Sequence, residues 1–205
     1  MVKYKLFYNA NQKKVELVNN TKIRNLFVHI PRAAGTSIRT VLDKHIIDFG
    51  HNKLTMFNDR KNYYSFCFVR NPYQRFMSSY YYYKQSINKT KKGDIIKQEI
   101  DRFKNFEDFA LNLQNSEYIT NYNHFHTQKS YVYDNDDKLV NFIGYCEFLQ
   151  RDLDILCNTI GIESVVAQRL NNSSHGAIKS EYTQDMKDHI YDYYIDDFKT
   201  FGYLK

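Results

Sequence analysis

Apolar and polar positions alternate twice near the start of the chain, over Tyr4 to Tyr8 and Lys14 to Val18, with the polar NANQ between them. Period-two alternation broken by a polar turn predicts a β-hairpin. LFVHI, Leu26 to Ile30, is a short apolar run with a β-branched and aromatic bias, which predicts a strand stopping at Pro31. From Gly35 or Thr36 to His45 the spacing turns helical, with Ile38, Val41 and Leu42 on one face. SFCFV, Ser65 to Val69, is apolar throughout, as a central strand covered on both faces must be. Asn71 then caps a helix that has Pro72 at its first position. Helical spacing returns from Ile95 to Asn115, broken near Asn105, which can cap a second segment, and Lys89 to Gly93 reads as a polar loop. SYVYD and NFIGYCE read as short strands, and RDLDILCNTIGI as a helix ending at Gly161. The last helix, Thr183 to Thr200, puts Met186, Ile190, Tyr193, Tyr194 and Phe198 on one stripe, with Thr183 as its N-cap. Apolar strands alternating with helices predict an α/β domain around a mostly parallel sheet.

Length and composition narrow the class. The chain has 205 residues, the size of one domain, so residues 1–205 are expected to form one domain: a hairpin appendage over 1–24 and a core over 25–205. Seven Gly and two Pro exclude collagen-like and Pro/Gly-rich disordered classes. No apolar run approaches the roughly 18 residues of a membrane span. The first residues lack the apolar core of a secretory signal, so a cytoplasmic location is expected. Cys67, Cys146 and Cys157 form no C-x-x-C pair, which argues against a disulfide scaffold and a structural zinc site and for buried thiols. The net charge of +6 favours an anionic partner: nucleic acid, a nucleotide, an acidic glycan or an anionic membrane.

Two segments carry chemistry. In FVHIPRAAGTSIRTVL a strand leads through the turn PRAAGTS into a helix. Ala33, Ala34 and Gly35 let the backbone approach an anion, Thr36 and Ser37 add hydroxyl donors, and Arg32 adds a cationic fork. The helix's free N–H groups and positive dipole end point at the same spot, which is the physics of a phosphate cradle. The turn lacks the first Gly and the Lys of the G-x-x-x-x-G-K-[ST] loop, and small-residue turns before helices also arise from simple packing. FCFVRNPYQRFMSSY repeats the arrangement: a buried strand ends in Arg70, and Ser78 lies two turns into the following helix, so one phosphate could take an Arg fork and a hydroxyl. Arg75 reads as a surface or helix-packing charge, and Tyr80 to Tyr83 as core and rim packing. Two anion cradles at adjacent strand ends suggest one ligand with phosphate at both ends.

With these motifs in place, the chain resembles the sulfotransferases that use 3′-phosphoadenosine 5′-phosphosulfate (PAPS), in the branch of carbohydrate sulfotransferases. HIPRAAGTS is similar to that family's 5′-phosphosulfate loop and VRNPYQRFMSSY to its 3′-phosphate motif. Downstream, HFHTQ (124–128) is similar to an H-x-x-P-Q segment with Thr127 in place of Pro, and FIGYCEFLQRDL, LNNSS and the closing helix with its FGY end follow in the family's order. The resemblance covers about residues 25–203. It implies a P-loop-NTPase-like sulfotransferase fold and transfer of a sulfuryl group from PAPS to a hydroxyl, less readily an amine, of an acceptor that relatives suggest is a glycan. It places Arg32, Ala34, Gly35, Thr36 and Ser37 on the 5′-phosphosulfate and Arg70 and Ser78 on the 3′-phosphate. The family usually has Lys where this chain has Arg32. Arg keeps the charge but does not readily donate a proton, so its expected role is electrostatic.

Transfer also requires a base, and His suits because its ordinary pKa is near 6.5. His51, in FGHNKLT, lies in the interval where relatives carry a catalytic His, so it is the first choice. His124 and His126, with Gln128, are assigned to the acceptor side. His29 reads as a core residue, His175 as a loop residue near the nucleotide, and Glu147 as a helix-start anchor. No metal-ligand spacing is present, so no metal is expected. The rival readings are a kinase of related fold, a basic nucleic-acid-binding protein, for which no RRM or zinc-finger pattern is present, and a sulfotransferase fold that binds donor without turnover. Acceptor identity and oligomeric state are not readable from these motifs, and variable loops over Lys84 to Asn123 are expected to shape the acceptor pocket.

Overall fold

The structure is a computed structural model and describes residues 4–9, 14–19, 22–85, 91–167 and 182–205. The chain divides into two compact units: residues 1–69 with 128–171, and residues 70–127 with 172–205.

The first unit holds the central sheet. Its strands are β3 (Asn25–Phe27), β4 (Ile47–Asp48), β5 (Tyr64–Val69) and β8 (Phe142–Tyr145), in the order β4-β3-β5-β8 and all parallel. Because the pairs are parallel, the carboxyl ends of β3 and β5 emerge side by side at one edge of the sheet. β3 is shorter than LFVHI suggests, since ladder pairing ends at Phe27. Its backbone bonds continue beyond that point: Val28 N–H donates to the Phe66 carbonyl and His29 N–H to the Gly50 carbonyl. Helix α1 (Gly35–Leu42) and helix α7 (Leu149–Thr159) pack on the sheet, Ile38 and Leu42 from one and Leu149, Leu153 and Leu156 from the other meeting Phe27, Phe66 and Phe68. This α/β architecture, a parallel sheet with helices on it, matches the expected fold class. Gly144 lies opposite Phe68, and a Cβ there would meet the Phe68 ring at 2.4 Å, so glycine at this strand position makes room for the ring. The hairpin of β1 (Tyr4–Asn9) and β2 (Lys14–Asn19) is antiparallel, as its alternation predicts.

One short stretch differs from the strand expected of it. SYVYD is mostly the helical turn α6 (Lys129–Val132), followed by a two-residue strand β6 (Tyr133–Asp134) that pairs with β7 (Asp137–Lys138). Tyr131 and Val132 are buried neighbours in sequence. Strict alternation would send one of them out, whereas a helical turn can bury both. Cys67 and Cys157 are buried and Cys146 half-buried, all three as free thiols.

The second unit is helical. Helix α2 (Pro72–Gln85) starts as predicted, with Asn71 Oδ1 accepting from Gln74 N–H at 3.3 Å. It is followed by α3 (Lys91–Asp101), α4 (Phe106–Asn112), α5 (Glu117–Thr120), α8 (Gln184–Tyr193) and α9 (Ile195–Phe201). Asn105 caps α4 through Asp108 N–H, and Thr183 caps α8 through Met186 N–H. Lys91 to Gly93, expected in a loop, belong to α3. The stretch from Ile95 to Asn115 is largely helical, as its spacing predicts, and Ile96, Ile100, Phe109 and Leu113 enter the core from it, with Ile119 of α5. The last helix is not continuous: Tyr194 leaves helical geometry at φ −108°, ψ 24°. The aromatic surplus is concentrated here, with Phe76 stacked on Phe109 at 5.2 Å and edge-on to Phe125 and Tyr194.

Candidate active site

The turn after β3 has the backbone of an anion cradle. Arg32 and Ala34 both take positive φ, +65° and +58°, while L-residues ordinarily avoid that region. Alternation between left-handed and other conformations turns successive N–H groups toward a common concavity. Helix α1 begins immediately afterwards at Gly35, with no side-chain cap and no acidic residue in its first turn. Its positive dipole end therefore meets no compensating carboxylate of its own first turn. Ser37 and Gly35 are buried, Arg32 and Ala34 half-buried and Thr36 exposed.

His29 joins this turn to His51. A Cβ on Gly35 would lie 1.7 Å from His29 Nε2, so the imidazole rests directly on the glycine. Here glycine is required by close approach. On its other side the His29 ring contacts the His51 ring at 4.3 Å between centroids and stacks on Phe27 at 5.3 Å. The His29 carbonyl lies 2.7 Å from His51 Nδ1. A carbonyl oxygen only accepts, so Nδ1 carries the hydrogen, and in the neutral ring Nε2 holds the basic lone pair. His51 is exposed, yet its inner edge is crowded. Loss of hydration there, and next the positive charge His29 can carry, push its pKa below the ordinary histidine value; the His29 carbonyl and Asp48 pull upward, and Arg39 adds to the lowering. The His51 imidazole is thereby favoured in its neutral form at neutral pH.

Asp48, at the end of β4, completes the group. Its Oδ1 is 3.7 Å from His29 Nδ1, an ion-pair separation too long for a hydrogen bond, and accepts from Gly50 N–H at 2.9 Å. Oδ2 pairs with Arg39 Nη1 at 3.2 Å. Burial alone would raise the Asp48 pKa, but His29, the Gly50 amide and Arg39 outweigh it and hold the carboxyl below its ordinary value. Neither Asp48 nor a functional His29 follows from residue spacing. The one available signal was that His29 directly precedes the cradle.

The remaining expected site residues lie elsewhere in the chain. Arg70, which follows β5 directly, and Ser78 belong to the second unit. Arg70 Nε donates to Gln74 Oε1 at 3.4 Å, and Gln74 and Ser78 share a face of α2 at i, i+4 spacing. Arg75 is 1% exposed and donates to the His126 carbonyl at 2.8 Å, so it is a helix-packing cation rather than a surface one. His124 is buried, its ring stacked with Tyr82 at 5.7 Å and Tyr122 at 5.4 Å. His126 is half-buried. Gln128, in the first unit, is fully buried at the start of α6, where its carbonyl accepts from Tyr131 N–H. Glu147 lies exposed in the turn that leads into α7. LNNSS and His175 fall outside the described residues. Among the described residues no group of His, Cys, Asp and Glu could hold a metal ion, and no helix is long and apolar enough to cross a membrane.

Neither the curated proteins nor the solved structures gave a significant match to this chain. A family model did: the one described as "Sulfotransferase family" matches residues 16–204, a span that takes in the turn at 32–37, His51, Arg70 and Ser78 alike. With a parallel sheet, a positive-φ turn leading from a strand tip into a helix, and a match over nearly the whole length, the chain belongs to the sulfotransferase family.

Proposed function

We propose that this sulfotransferase takes PAPS as donor and moves its sulfuryl group to a hydroxyl of a carbohydrate acceptor, residues 25–205 acting as one catalytic domain. The observation that carries the reading is the double engagement of His29, whose ring rests on Gly35 of the cradle while its carbonyl orients His51. Arg32, Ala34, Gly35, Thr36 and Ser37 take the 5′-phosphosulfate, and Arg70 and Ser78 the 3′-phosphate, as the family motifs indicate. His126 and the His124 segment serve the acceptor; the complete burial of Gln128 suits it to supporting that segment's end rather than to touching the acceptor.

In the reaction the acceptor oxygen forms a bond to sulfur as His51 Nε2 takes its proton. The bond between sulfur and the bridging phosphate oxygen breaks, and its electron pair leaves on 3′-phosphoadenosine 5′-phosphate (PAP). Arg32 and the turn amides meet the charge that develops on that oxygen. Arg32 holds its proton too firmly to deliver it, so its contribution is charge and a planar fork. Positioning and charge stabilisation do most of the work, as in phosphoryl transfer.

Calorimetric and thermal-shift titration with PAP tests the assignment. Binding to the folded form at about 100 times Kd adds about 2.7 kcal/mol, which raises Tm by roughly 5–11 °C for a chain of this size. Arg70→Ala should weaken PAP binding, while His51→Ala should keep it and lose PAP release from PAPS in the presence of oligosaccharide acceptors. No rise in Tm at millimolar PAP would refute the donor assignment, and unchanged turnover in His51→Ala would remove His51 as the base.

A further inference from the structure

We propose that the His29 imidazole, backed by Asp48, is a positioning residue that ties the anion-binding turn to the base, so that the seating of the turn and the state of His51 are set through one side chain. The proposal rests on the reading of His51 as the base. Its ground is the geometry of a single cluster. The His29 ring is 12% exposed and is held from four sides: Gly35 beneath Nε2, Asp48 at Nδ1, Phe27 stacked on it and His51 packed edge-on against it. A ring so enclosed cannot shift without disturbing either the start of α1 or the imidazole beside it. Core packing alone needs neither a carboxylate at one ring nitrogen nor an imidazole as neighbour; a phenyl ring would fill the same space.

The consequence is electrostatic. The charged groups facing His51 are His29 from the end of β3, Asp48 from β4 and Arg39 from α1. When His29 is protonated, its charge is matched by Asp48 and opposes a second proton on His51 at 4.3 Å between ring centroids. His51 is kept as a neutral acceptor of the substrate proton by a neighbour that need not touch substrate.

Ring-nitrogen NMR of the full chain labelled with ¹⁵N-histidine reads this directly, with His51→Asn used to assign the signal. In the unaltered protein His51 should carry its hydrogen on Nδ1 and titrate below the ordinary histidine value. In His29→Gln, which keeps the backbone carbonyl, His51 should titrate at higher pH than in the unaltered chain. If PAP release is measurable, its acid limb should move upward in the same variant. The unaltered protein alone decides the matter should the variant fail to fold: a His51 midpoint at or above the ordinary histidine value would overturn the proposal, as would a His51 midpoint unmoved in folded His29→Gln. A midpoint that rises in His29→Gln, combined with full turnover in His51→Ala, would leave the pairing standing and sink only the base assignment. A midpoint unmoved in His29→Gln, with turnover lost in His51→Ala, would do the reverse.

Discussion

Substituting Gly35 by Ala probes the join between cradle and base. The new Cβ would stand 1.7 Å from His29 Nε2, 2.0 Å from Cδ2 and 2.6 Å from Cε1, the first being half the closest ordinary van der Waals separation. The imidazole cannot swing clear, because Asp48, Phe27 and His51 occupy its other sides. Either the ring is expelled or α1 lifts from the turn. Forced overpacking of this kind costs about 1–3 kcal/mol, which corresponds to roughly 2–12 °C in Tm for a chain of this length. Because the displaced backbone is the cradle itself, PAP affinity should fall at least about tenfold, or about 1.4 kcal/mol. Gly161→Ala supplies the comparison. That glycine, just past α7, sits at φ +72° with no atom within 4 Å of an added Cβ, so its cost is backbone strain alone, about 1–2 kcal/mol. Differential scanning calorimetry with PAP titration should therefore find both variants destabilised and only Gly35→Ala impaired in binding. Parental affinity in Gly35→Ala would refute the placement of the anion at this turn.

Three further outcomes are expected. Ala34→Gly removes the strain of a left-handed alanine and should leave the protein as stable or up to about 1 kcal/mol more stable by chemical denaturation, since glycine adopts φ +58° freely. Arg75→Ala should cost at least about 2 kcal/mol, because a charged hydrogen bond to the His126 carbonyl is lost in the interior; a cost below about 0.5 kcal/mol would show that the cation is not structurally engaged. Stability should decline on acidification in two windows, read from Tm against pH. His51 has a folded pKa below its unfolded value near 6.5, so the unfolded chain binds the proton better, and stability falls as pH drops from that value through the lowered one. Asp48, with a carboxyl held below its ordinary 3.8, adds stability that is present above that value and lost below it, and Asp48→Asn should make the second decline shallower, leaving the part owed to Asp101 and Asp188, which are also held low.

Local physics made much of this legible in the chain. Asn71, Asn105 and Thr183 cap helices where a short polar side chain precedes an apolar stripe, because an N-cap needs only its own oxygen and the next turn's amide. The turn at 32–37 was readable for the same reason, its small residues, hydroxyls and basic residue being contiguous. SYVYD misled because a short aromatic and β-branched run satisfies strand preference, while burial of the adjacent Tyr131 and Val132 is decided by what packs around them. Tyr194 keeps its place on the buried stripe that periodicity predicts but interrupts the helix expected to carry it, its hydroxyl reaching the Phe125 carbonyl 69 residues away in sequence.

The amino-acid order by itself determined the composition of the turn at 32–37 and the parallel α/β class, and the family resemblance pointed to His51. Only the tertiary structure decided what stands behind that histidine. Asp48 and His29 are 19 positions apart, and no spacing marks them as partners; parallel pairing of β3 with β4 brings them to 3.7 Å. The glycine at 35 likewise reads as one more small residue until the His29 ring is found against it. Contacts of this kind depend on which strands become neighbours, and that is settled by burial of the whole sheet rather than by any segment of the chain.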